Sequence, residues 1–150
     1  MSTTTTTTTT DHQVRAQTVV FLRHGVAQHN FQNADLFSPT LFDPSLTYDG
    51  KLSAVRAGEK IKTWCKNKPT TSTTTTTTGK TTIDMIVCSP LTRTLQTASL
   101  AFMPGEEYAA GEQYYPILCT ENVREAFGMH YPDKRRERSV LAVRVSFATL

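Results

Sequence analysis

The stretch Val19-Val20-Phe21-Leu22-Arg23-His24-Gly25 decides the fold. Its four consecutive apolar residues favour extended backbone, and an unbroken apolar run predicts a strand covered on both faces, as in the parallel sheet of an α/β domain. The run stops at Arg23 and His24, and open α/β sheets bind ligands beyond the carboxyl ends of their strands. A guanidinium and an imidazole at such a point can share one small anion. Gly25 then permits a tight turn and a close backbone approach.

Working outward, the 150 residues suggest one domain interrupted by two polar tracts. Residues 3–10 are all threonine, and residues 70–78 are threonine apart from Ser72. Neither tract has apolar surface to offset the entropy of ordering it. Residues 1–18 are therefore expected to be a disordered tail, residues 67–82 a loop insertion, and residues 19–150 the domain itself. The formal charge of +3 is mild, and much of it lies in Lys134-Arg135-Arg136-Glu137-Arg138. That run reads as a solvated helix face. It lacks the interleaved aromatics of a single-strand binder, so no nucleic-acid partner is expected.

Three cysteines, Cys65, Cys88 and Cys119, are widely spaced, in no pattern that suits a metal. An odd number, with no charged-then-apolar leader ahead of them, points to a reducing, cytoplasmic setting. No apolar run is long enough to span a bilayer, which predicts a soluble protein with no membrane partner.

Beyond the first strand, His29 reads as an exposed loop histidine. Asp43-Pro44-Ser45-Leu46 supplies turn formers, and Thr47 is a plausible N-cap for a helix running to Asn67. Leu52, Val55, Ile61 and Trp64 could share its apolar face. Ile83 to Cys88 is a second apolar strand, ended by Ser89-Pro90, and a helix is expected over residues 91–98. Arg93 falls in its first turn, where backbone N–H groups and the positive dipole end favour an anion. Residues 114–118 read as a short extended piece. Residues 139–150 alternate Leu141, Val143, Val145 and Phe147 with smaller or polar neighbours, the pattern of a half-buried strand.

Taken together, these motifs resemble the histidine phosphatase superfamily, which includes the phosphoglycerate mutases. The resemblance rests on Arg23-His24-Gly25 followed by Asn30, and on Leu46-Thr47-x-x-Gly50 leading into Ala54, Ala57 and Gly58. Its most specific part is Ser89-Pro90-Leu91-x-Arg93-x-x-Gln96-Thr97-Ala98. The blocks Arg124-Glu125-x-x-Gly128 and Pro132-Asp133-x-Arg135-Arg136 are similar to a eukaryotic phosphoglycerate mutase-like branch, with Pro132 where that branch often has cysteine.

The resemblance implies a three-layer α/β/α fold and an intracellular phosphatase acting on a small phosphorylated substrate, or a mutase differing only in the acceptor. It makes His24 the nucleophile that becomes phosphohistidine and assigns phosphate binding to Arg23, Asn30 and Arg93. Glu125 is the candidate general acid and Glu121 the alternative; no cofactor or metal is required. It also implies a second histidine in a Ser/Thr-His-Gly string on a strand between the two motif strands. None of His12, His24, His29 and His130 has that context. The chain thus reads as the N-terminal part of such a domain, matched over residues 19–136 and truncated at its C-terminal side. Weak or no turnover is expected of it, and a non-catalytic phosphate-binding role is the competing reading.

Overall fold

The computed structural model describes residues 18–67, 83–103, 115–125 and 128–141. The expectations placed on the threonine tracts and on residues 142–150 lie outside them. Within them the chain is mixed α/β, with helices α1 (Tyr48–Asn67) and α2 (Thr92–Phe102) and strands β1 (Ile86–Cys88) and β2 (Ile117–Cys119). The strands are parallel, pairing Ile86 with Ile117, Val87 with Leu118 and Cys88 with Cys119. Parallel neighbours need a crossover connection, and α2 supplies it. β1 is shorter than the run from Ile83 suggests, because Asp84 and Met85 lie exposed ahead of it.

Helix α1 starts where expected. Thr47 Oγ1 accepts a hydrogen bond from the Gly50 amide at 3.0 Å, which satisfies one of the orphan donors of the first turn. Its packing face is not the expected one. Gly50, Ala54, Gly58 and Cys65 are the buried residues, while Trp64 is 42 % exposed and Leu52, Val55 and Ile61 are only half-buried. The reason lies at the crossing with α2, where a Cβ on Gly58 would collide with the Ala101 backbone. Small residues let the two helices approach closely, and the larger side chains are left at the rim of the contact.

Helix α2 extends past the expected end to Phe102, burying Ala98, Ala101 and Phe102. Its N-terminus is capped from a distance by Asp43, which sits at φ 45° and is fully buried. Asp43 Oδ1 accepts from the Thr92 amide at 2.8 Å, and Oδ2 accepts from the Thr92 hydroxyl at 2.7 Å. The positive end of α2 is therefore neutralised by the chain's own carboxylate rather than left open to an anion.

The central expectation about residues 19–22 is not met. They form no strand, and Val19 and Phe21 are 70 % and 93 % exposed. The described residues contain no third strand for them to pair with. Val87 and Leu118 are exposed on adjacent strands as well. The three-layer arrangement is accordingly not formed by the described residues.

Two further expectations are corrected. Residues 138–141 form a helical turn that buries Leu141, with its amide donating to the Glu137 carbonyl at 3.1 Å, where a strand was expected. The basic run is no continuous helix face, because its charges have separate local partners. Lys134 Nζ lies 3.7 Å from the Tyr131 ring centroid, Arg135 pairs with Glu121 at 2.7 Å, and Arg136 donates to the Phe42 carbonyl at 2.8 Å. Among the described residues no helix is long and apolar enough to cross a membrane.

Candidate active site

The loop after Leu22 is held from two sides. Helix α2 reaches it through Thr97, whose Oγ1 accepts from the Gly25 amide at 3.1 Å while donating back to the Arg93 carbonyl at 2.8 Å. The start of α1 reaches it through Thr47, whose amide and hydroxyl both donate to the Val26 carbonyl, at 2.9 Å and 3.0 Å. Ala27, fully buried, forms an antiparallel bridge with Leu46. Leu46 is in turn fixed by its amide donating to Gln96 Oε1 at 2.8 Å. Gly25 and Gly50 make this docking feasible, since a Cβ on Gly25 would collide with the Gly50 backbone and one on Gly50 with Val26. Gln96 and Thr97 therefore position the loop, a role that sequence reasoning did not assign them.

The loop opens onto a cavity of about 230 Å³ lined by Arg23, His24, His29, Asn30, Glu125 and Asp133, among others. Cavities for drug-sized ligands run from about 300 to 1,000 Å³, so this one suits a smaller ligand. Four of the five expected site residues thus share one wall, and Glu121 is absent from it. Glu121 is instead committed to Arg124 at 2.8 Å and Arg135 at 2.7 Å.

Arg93, the fifth, lies beneath the cavity with no exposed surface. Its Nη1 donates to the Pro132 carbonyl at 2.6 Å, and its Nη2 donates to Glu125 at 2.7 Å and to Asp133 at 3.0 Å. Removing a guanidinium from water is costly unless its donors are satisfied, and three acceptors meet that need. Of its three nitrogens only Nε is buried with no partner among the described residues. The two carboxylates differ in freedom, because the Glu125 side chain is 61 % exposed and that of Asp133 only 17 %. Asp133 is the fixed counter-ion, and Glu125 is free to swing away. The hydrogen bond from Arg93 holds the Glu125 carboxyl below its ordinary value, so it is ionised at neutral pH.

His24 donates from Nδ1 to the Gly25 carbonyl at 2.7 Å, since a carbonyl can only accept. In the neutral ring this leaves Nε2 with a free lone pair. Burial, the largest influence, lowers the His24 pKa below 6.5; Arg93 and Arg23 lower it too, opposed by the Gly25 carbonyl and Glu125. The ring is therefore neutral, with a nucleophilic nitrogen, near pH 7.

His29 is not the exposed loop residue expected. It lines the cavity half-buried, with its ring centroid 5.8 Å from that of His24. Burial first, and Arg93 next, push its pKa down to about 4. Nothing in the local sequence distinguishes this from a solvated position; His29 lies in the 3-10 turn Gln28–Asn30. Asp133 and His130 are likewise cavity residues that the sequence reading did not place there. Comparison of the chain with protein-family models, curated proteins and solved structures gives no match.

Proposed function

We propose that this cavity is a phosphoryl-transfer site of the histidine phosphatase type, acting on a small phosphoester through a phosphohistidine on His24. The observation that carries this reading is the His24 tautomer, with Nδ1–H tied to the Gly25 carbonyl and the Nε2 lone pair free. An imidazole fixed in this way attacks phosphorus without first losing a proton. Arg23 on the wall and Arg93 beneath it would offset the charge on the phosphoryl oxygens, and Asn30 adds a polar side chain beside them. Glu125 has two roles in sequence. Its carboxylate occupies a donor of Arg93; an anion taking that donor would release Glu125, and the negative charge of the phosphoryl group beside it would raise its proton affinity, so that it takes a proton from water. It could then pass that proton to the leaving oxygen. Water, or a second hydroxyl in a mutase, would accept the phosphoryl group from His24. A reducing cytoplasmic setting fits this chemistry.

A second reading, phosphate binding without turnover, has an observation of its own. The apolar run over residues 19–22, directly before Arg23, is exposed and, among the described residues, forms no strand. The experiment that separates the two is acid-labile labelling of the parent and of His24→Ala by a generic phosphoester. The expected result is label on the parent alone, at pH 7 and above, where burial and the neighbouring arginines keep His24 neutral. Equal labelling of both proteins would remove His24 from the role. Tight phosphate binding with no label would favour the second reading.

A further inference from the structure

Asn30 and His29 fix one another's hydrogen bonding. The Ala27 amide can only donate, and it lies 2.9 Å from Asn30 Oδ1, which settles that oxygen's place. Asn30 Nδ2 therefore lies on the other side, 3.2 Å from His29 Nε2, and it donates to that nitrogen. A neutral imidazole whose Nε2 accepts carries its proton on Nδ1. His29 Nδ1–H is then a donor, and it is buried with no partner among the described residues. Leaving a buried donor unmet is unfavourable. His29 lines a cavity bordered by Arg23 and His24, where an anion's oxygens are the acceptors to be expected.

Resting on the phosphoryl-site reading above, we propose that His29 is a phosphate-binding residue, its Nδ1–H donating to an oxygen of the phosphoryl group held against His24. The depressed pKa of His29 agrees with this, since a neutral donor can serve the anion without becoming a proton source that would quench the nucleophile beside it. Its other nitrogen keeps Asn30 oriented, so the ring has two separable duties.

Two substitutions separate them. In His29→Asn the amide N–H takes the place of Nδ1, while in His29→Gln the amide reaches the place of Nε2. Titration of the full chain with inorganic phosphate, followed by calorimetry or by imidazole NMR shifts, reads both. The expected result is a roughly tenfold weaker Kd for His29→Gln, as for one lost hydrogen bond to a charged group, with His29→Asn within about threefold of the parent. Equal binding by His29→Gln and the parent would overturn the proposal while leaving the phosphate site intact. So would weakening in His29→Asn alone, which would reduce His29 to a support for Asn30. A parent that binds no phosphate would remove the phosphoryl-site reading, and this proposal with it.

Discussion

Residues 19–22 and residues 24–30 are neighbours in sequence and opposites in environment. The first four are apolar, and Val19, Val20, Phe21 and Leu22 are all more than a third exposed. The following loop is polar, yet both α1 and α2 hold it through backbone hydrogen bonds. Apolar character fixes a segment only when a partner surface is present to receive it. A polar loop is fixed by particular hydrogen-bond partners: Thr97 accepts from the Gly25 amide, Thr47 donates to the Val26 carbonyl, and Gln96 holds Leu46, which bridges to Ala27. The site is thus assembled by hydrogen bonds to two helices, without the sheet that the apolar run would build.

The largest expected effect tests the helical side of this contrast. Arg93→Met should lower stability by about 3 kcal/mol, because Asp133 and the Pro132 carbonyl lose a buried partner; this is the low end for breaking a buried pair, since Glu125 can turn to water. Urea unfolding would measure it. A change under about 0.5 kcal/mol, the size of an ordinary surface substitution, would show that the guanidinium is not buried as described. The same variant should abolish phosphate binding.

Thr97→Val should be milder. It removes the acceptor of the Gly25 amide and leaves α2 otherwise unchanged, for a loss of about 1 kcal/mol. Its effect on phosphate affinity should exceed what that figure suggests, because Arg23 and His24 depend on the same loop. Unfolding and phosphate titration on one sample would compare the two. Unchanged affinity would mean that α1 alone positions the loop.

The smallest effect is expected at the apolar run. Phe21→Ser should shift stability by no more than about 0.5 kcal/mol, as at other exposed positions, and should reduce self-association at high concentration. For comparison, Leu91→Ala, at a position 1 % exposed, should cost about 2–5 kcal/mol. A loss at Phe21 approaching that at Leu91 would show that residues 19–22 are covered in solution.

What the sequence made legible follows from the range of the interactions concerned. Helix α1 could be read because Thr47 caps it locally; Arg23, His24, Asn30 and Glu125, grouped only through the family resemblance, do line one cavity, with Arg93 bonded to Glu125. Asp43 could not be read as the cap of Thr92, because the two are far apart in the chain and only the fold brings them together. The packing face of α1 was misjudged for a related reason. Size and hydrophobicity point to Leu52 and Trp64, but contact with α2 selects Gly58 for its lack of a side chain. His29 was the hardest to foresee, since nothing in the local sequence distinguishes it from a solvated position and its proton depends on the orientation of Asn30.

The most direct measurement is NMR of the phosphorylated chain, prepared with a reactive phosphoester and nitrogen-15 histidine, to identify which nitrogen bears the phosphorus. The account predicts a single phosphohistidine, at Nε2 of His24, with Nδ1 still protonated against the Gly25 carbonyl. Phosphorus on Nδ1 of His24, or on His29 or His130 instead, would contradict it.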